Sequence, residues 1–213
     1  MSVLFSNFRG CLSSQPTRSE LKRAAILEAA VAEFLVQGFR DTSMDRIADH
    51  ANVSKRTVYN HFESKEVLFR AIVGEMLSEH DDSITIAYDG NRPLEKQLLE
   101  LVHQDVNLLQ DDVFIGMARV LLAESFNTPD LARDAFGEAL QQEHPLTRWI
   151  KAATDDGRLG VDDPALATMQ LKSLLKGLLF WPLVIGYGER PTEKKADTMV
   201  SGAVQMFLDH YER

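Results

Sequence analysis

Apolar residues recur along this chain at helical spacing, and nowhere do they alternate over the length a strand needs. The first stripe, Ala24, Leu27, Val31 and Phe34, predicts a helix from about Thr17 to Gln37, which Gly38 is well placed to end. Thr42 and Ser43 can cap the next helix, with Asp45 three residues after Thr42 as a capping box requires, and Ile47 and Ala48 supply its buried side. Ala51-Asn52-Val53-Ser54 reads as a turn with Asn52 at positive φ, which Asn tolerates better than most residues. Ser54 then caps a helix from Lys55 to His61 on which Val58 and Phe62 point inward. Further stripes predict helices from Ser64 to about Glu79, from Leu94 to Leu109 (Leu98, Leu101, Val102, Asp105 and Leu108 in line) and from Asp111-Asp112 onward. A helix from Thr128-Pro129-Asp130 to Asp155-Asp156-Gly157 should kink or split at Pro145, and two more run from Pro164 to about Trp181 and from Pro191-Thr192 to about Tyr211. Asp81 to Pro93 reads as a loop. The fold class is therefore all-α, with about nine helices.

The stretch from Thr42 to Lys65 is the most informative chemically. Two short helices joined by a tight turn make a helix-turn-helix, whose second helix fits the major groove of DNA. A helical hairpin with a merely solvated face would carry more Glu and Lys outside. Here Lys55, Arg56, Thr57, Tyr59, Asn60 and His61 face out, and Thr57, Tyr59, Asn60 and His61 add little solubility while each can bond phosphates or base edges. Lys55, Arg56, Thr57 and Asn60 are candidates for the major groove, with Arg56 able to fork onto a guanine edge and Asn60 to read adenine. Ser43, Tyr59, His61 and Lys65 are candidates to hold phosphates.

The order Glu33-Phe34-Leu35-Val36-Gln37-Gly38-Phe39, Thr42-Ser43-Met44-Asp45-Arg46-Ile47-Ala48, Ala51-Asn52-Val53-Ser54, Thr57-Val58-Tyr59-Asn60-His61-Phe62, Ser64-Lys65-Glu66 and Leu68-Phe69 resembles the DNA-binding domain of the TetR (tetracycline-repressor) family of bacterial regulators. Asn52 stands where that family more often has Gly; either residue suits a left-handed turn. Residues 110–213 resemble the C-terminal domain of AefR-like regulators, mainly through Lys176-Gly177-Leu178-Leu179-Phe180-Trp181-Pro182. The resemblance implies a repressor of transcription, a homodimer on double-stranded operator DNA, and a small-molecule effector.

Charge sharpens that picture. The net charge of the 213 residues is −9, yet residues 1–64 hold eight Lys/Arg against seven Asp/Glu and residues 65–213 hold fifteen against twenty-five. The acidity belongs to the second part, and local charge matters more to a DNA partner than the total. The single cysteine, Cys11, excludes an internal disulfide and a cysteine-based zinc finger and fits a reducing cytoplasm. Met1 to Gln15 makes a poor signal peptide and reads as a disordered tail, and no stretch approaches the ~20 apolar residues that span a membrane, so the expected location is cytoplasmic.

No G-x-S-x-G, P-loop or HExxH occurs, and acidic pairs such as Asp111-Asp112 and Asp155-Asp156 sit at predicted helix ends or loops, so no catalytic residue and no cofactor is expected. His80, His103, His144 and His210 are scattered and no metal is expected, although a metal-responsive regulator or an enzyme without a recognisable motif remains the alternative.

Leu171, Leu174, Leu175, Leu178, Leu179 and Trp181 make the helix after Pro164 apolar around most of its girth, and such a helix must be covered on most sides. The resemblance supplies a cover, because TetR-like proteins pair their last two helices with a second subunit; Leu171, Leu175, Leu178, Met199, Ala203 and Phe207 are the candidate dimer contacts. Between head and dimer surface, Phe114, Met117, Leu121, Trp149 and Trp181 offer apolar surface for an effector, and His103, Asn107 and Gln170 offer polar groups to orient it. The expected division is a tail at 1–16, a helix-turn-helix domain at 17–63, and a ligand-binding and dimerisation domain at 64–213.

Overall fold

The computed structural model describes residues 16–137 and 143–213, and these form eleven helices with no strand among them. In chain order they are α1 (Arg18–Asp41), α2 (Met44–His50), α3 (Lys55–His61), α4 (Lys65–Ser83), α5 (Leu94–Leu108), α6 (Asp112–Ser125), α7 (Pro129–Gly137), α8 (Pro145–Asp155), α9 (Pro164–Leu179), α10 (Trp181–Ile185) and α11 (Glu193–Tyr211). The expected tail, with Cys11, lies outside the described residues apart from Pro16.

They group into two compact units, one running to Glu79 and resuming at Asp111 with α6 and α7, the other comprising His80–Gln110 and the chain from α8 onward. This grouping departs from a cut in chain order at residue 64, because α1 packs on α6 and α6 on α7. Helix α4 is continuous from the first unit into the second, where its last residues, His80 to Ser83, belong.

The first unit is built around α1. Its N-terminus carries a full capping box, in which Thr17 Oγ1 accepts from the Glu20 N–H (3.2 Å) and Glu20 Oε2 accepts from the Thr17 N–H (2.6 Å). Ile26, Leu27, Ala30, Val31 and Phe34 are buried along one face. Gly38 at φ 80° breaks the helical path, and Phe39 turns inward to stack with Phe34 and Phe69 at ring separations of 5.6 and 5.1 Å. The helix resumes to Asp41, four residues past the predicted end.

In the second unit, α9 packs on α8, α10 and α11, and α11 packs on α5. The predicted loop at 81–93 is shorter than expected, because α4 runs to Ser83. Buried Gln97 holds what remains: its Oε1 accepts from the Asp89 N–H (2.7 Å) and its amide donates to the Asp89 and Arg92 carbonyls (2.9 and 3.0 Å). The helix predicted to reach Trp181 stops at Leu179, since Pro182 cannot continue it and instead starts α10, which Gly186 closes at φ 85°. These breaks, with the one before Pro145, raise the count from nine to eleven. Among the described residues no helix is long and apolar enough to cross a membrane.

Candidate nucleic-acid interface

The helix-turn-helix is set by its caps. Ser43, not Thr42, opens α2: its side chain accepts from the Arg46 N–H (3.3 Å). Thr42 is instead buried, and its hydroxyl donates to the Gly38 carbonyl (2.8 Å) and the Glu33 carbonyl (3.3 Å), so the predicted box with Asp45 does not form. Asn52 adopts φ 53° at the turn as expected. Ser54 opens α3 by accepting from the Thr57 N–H (3.1 Å). Val58 and Phe62 are buried and dock α3 on the core.

That docking leaves one face of α3 outside. Tyr59 is 50% exposed, and Arg56 and Asn60 are exposed. Among the described residues no hydrogen bond or ion pair engages these three side chains, so they are ready for an outside partner. Lys55 is differently placed: its Nζ is 2.5 Å from Asp45 Oδ2, and that hydrogen bond raises its pKa. Thr57 shares a hydroxyl contact with Ser54 (2.8 Å).

Lys65 does not face solvent as a phosphate ligand. Its ammonium donates to the Phe39, Arg40 and Thr42 carbonyls (2.5, 3.0 and 2.8 Å), which uses all three hydrogens, and it lies 4.5 Å from the centre of the Phe39 ring. It closes the end of α1, where backbone carbonyls lack helical partners.

The start of α1 adds groups that apolar periodicity did not single out. Arg18, Ser19 and Lys22 join Thr57, Asn60 and His61 around an open groove of about 430 Å³ beside α3. Burial, then the charges of Arg23 and Lys22, hold the His61 pKa below its usual range, so at neutral pH His61 offers hydrogen bonds rather than charge. Arg23 is held elsewhere, paired with Glu75 and lying 5.4 Å over the Phe62 ring. A signal for Arg18 and Lys22 was present: two basic residues in the first turns of a helix entering the head.

The candidate effector residues are not gathered in either unit. Phe114, Met117 and Leu121 belong to the first unit; Met117 and Leu121 are buried there. The other five belong to the second. Asn107 and Gln170 are exposed, with Gln170 accepting from the Tyr211 hydroxyl (2.5 Å), and Trp181 is partly exposed. His103 lies at the surface, 3.9 Å from Asp197. Trp149 alone of the five is deeply buried, edge-on to Tyr88.

The candidate dimer contacts also divide. Leu171, Leu175, Ala203 and Phe207 are buried within the subunit and cannot serve as a free face, because α9, α11 and their neighbours cover them. Leu178 remains 42% exposed and Met199 is half-buried. The apolar surface that α9 and α10 leave outside is Leu166, Met169, Leu174, Leu178, Trp181 and Ile185, with Met206 on α11.

Residues 26–72 match the family model of bacterial regulatory proteins of the tetR family, and residues 96–213 match that of the AefR-like transcriptional repressor C-terminal domain. A curated relative is the HTH-type transcriptional repressor SCO4008 of Streptomyces coelicolor, 27% identical over 192 residues that span 86% of this chain and 94% of the relative. Among solved structures, a TetR family transcriptional regulator from Pseudomonas syringae pv. tomato is 41% identical, with a TM-score of 0.74 over 89% of this chain and 96% of its own. The flavonoid-responsive regulator FrrA is 28% identical, with a TM-score of 0.73 over 90% of this chain and 97% of its own.

Proposed function

This chain belongs to the TetR family of bacterial transcription regulators, and from that premise we propose that it is a homodimeric repressor, released from its operator when a small organic molecule binds its second unit. The observation that carries this is the outward face of α3. Arg56, Tyr59 and Asn60 stand on a helix whose turn, caps and buried side are fully committed, while their own polar groups engage nothing else among the described residues. Arg18 and Lys22 flank the same groove and supply charge for phosphates. The cytoplasm, where such DNA lies, is the expected place of action.

The dimer reading rests on the stripe from Leu166 to Ile185. Large side chains at spacings of three to five residues form an apolar face larger than a lone soluble subunit normally exposes. Gly177 and Gly202 are exposed with open space where a Cβ would stand, which permits close helix approach by a second copy. A twofold pair presents two copies of α3, matching half-sites about one helical turn, ~34–36 Å, apart or a multiple of it.

An effector in the second unit bears on DNA through α4, the helix shared by both units. The similarity to FrrA, a flavonoid-responsive regulator, supports a small organic effector for this chain as well. Only a difference in affinity between two shapes can release DNA, and linkage makes it reciprocal. The test is titration of candidate organic molecules against the full chain, with and without a duplex selected from a random pool. An effector should weaken the duplex, and the duplex should weaken the effector, by the same factor, worth ~1–3 kcal/mol. Equal effector affinity in both arms for every bound compound contradicts release by a ligand.

A further inference from the structure

Among its described residues the first unit buries two polar side chains, Thr42 and Glu124, and both meet the end of α1. Glu124, near the end of α6, keeps only 8% of its side chain exposed. Arg40 on α1 turns the fork of its guanidinium onto it: Nε donates to Oε2 (3.2 Å) and Nη2 to Oε1 (3.4 Å). The Thr128 hydroxyl, ahead of α7, donates to Oε1 at 2.9 Å. One buried carboxylate thus gathers donors from α1 and from the turn into α7.

Arg40 stands two residues ahead of Thr42, where the chain enters the helix-turn-helix. The carbonyls of Arg40 and Thr42 also receive the Lys65 ammonium from the start of α4 (3.0 and 2.8 Å). The ends of α1 and α6 and the start of α4 are therefore joined at one point by directional bonds. Elsewhere α1 meets α6 through apolar contact, with the Leu35 side chain filling the space where Gly116 has no Cβ. Apolar contact is non-directional, whereas a fork on a carboxylate fixes an angle. An ion pair with a buried partner adds little net stability over apolar groups of like volume, and its best-attested use is to specify a single arrangement.

Chain connectivity gives that angle a consequence. The chain passes between the two units along α4, again from α5 into α6, and again from α7 toward α8. Two of these passages lead through the α6–α7 segment, on which α1 is held. In a pair joined through the second unit, the two copies of α3 keep a set separation only if each head is fixed on the segments that lead to that unit.

We propose that Glu124 is a positioning residue for operator recognition: by holding Arg40 it fixes the helix-turn-helix on α6 and so sets the spacing at which paired α3 helices meet DNA. This rests on the homodimer reading. The test compares two duplexes, the inverted repeat that the unmodified chain selects from a random pool and the same repeat with one base pair inserted at its centre. Insertion should weaken binding by the unmodified full chain about tenfold or more. Glu124→Gln should bind the original repeat about tenfold more weakly and lose only about threefold or less on insertion, because a looser head tolerates a wrong spacing. Arg40→Gln, the second variant should the first not fold, should behave alike, and the double variant should lose no more than either alone. Variants that melt at a lower temperature but keep the parent's affinity and insertion penalty would overturn the proposal, since the pair would then serve the fold alone. Equal weakening on both duplexes would overturn it too, as would a salt slope reduced by Arg40→Gln and not by Glu124→Gln, which would make Arg40 a phosphate ligand. An insertion that costs the unmodified chain nothing would overturn the homodimer reading and this proposal with it.

Discussion

Arg56 and Lys22 illustrate two kinds of work that one groove can ask of a cation. Arg56 stands on the exposed face of α3 with its planar fork uncommitted, suited to a base edge. Lys22 lies at the groove's rim on α1, suited to a phosphate. Arg56→Ala should therefore relax preference at one position in each half-site by ~1–3 kcal/mol, whereas Lys22→Ala should weaken all duplexes alike and reduce the salt slope by about one, as titrations of variant duplexes at several salt concentrations will read. Uniform loss from Arg56→Ala would make it a phosphate ligand instead. In the second unit, burial works to raise the Asp105 pKa, but hydrogen bonds from His144 and His80 and the charge of Lys172 outweigh it and hold the carboxyl far below its usual range. A depressed folded-state pKa contributes stability that is fully present above the ordinary carboxylate value of about 4 and is lost as pH falls below it toward the folded value. Asp105→Asn should cost about 3–5 kcal/mol near neutral pH by leaving buried cations uncompensated. Its deficit against the unmodified chain, followed by thermal melts, should be steady at neutral pH and shrink below about pH 4.

At the scale of elements, the turn between α2 and α3 was readable in the sequence because its determinants are local. Asn52 at φ 53° and Ser54 at the cap act within a few residues of themselves. Asn52→Gly should leave the melting temperature nearly unchanged, while Asn52→Val should lower stability by roughly 1–3 kcal/mol, since a β-branched residue is strained at positive φ. A valine variant as stable as the parent would show that the turn relaxes. The two threonine and lysine assignments that failed, Thr42 and Lys65, depend on where the end of α1 returns. Gly38 lets the chain continue to Asp41, and that places carbonyls near both side chains, within nine residues for Thr42 but more than twenty residues away in sequence for Lys65. Likewise Asp105 was visible as one residue of an apolar stripe, but not its partners His80, His144 and Lys172, which come from three other segments. Of the expected dimer contacts, Leu171, Leu175, Ala203 and Phe207 are buried within the subunit while Leu178 and Met199 are not, because periodicity shows that α9 is apolar on several faces but not which face the subunit itself covers.

For the whole molecule, the proposal assigns assembly to the exposed stripe on α9 and α10 and DNA reading to α3. Leu178→Glu puts a charge in the middle of that stripe, on a side chain already exposed in the subunit, so the variant should fold and sediment as a monomer where the unmodified chain is a dimer burying on the order of 2,000 Å² or more. A folded monomer for the unmodified chain at micromolar concentration would defeat the homodimer. The central claim is that two copies of α3 read DNA together, and selection of bound duplexes from a random pool tests it most directly. The unmodified chain should enrich an inverted repeat whose half-site centres lie about 10–10.5 base pairs, or a multiple, apart, and Asn60→Ala with Arg56→Ala should abolish the enrichment while leaving the fold intact. Failure to enrich any sequence, or the same repeat enriched by the double variant, would contradict it.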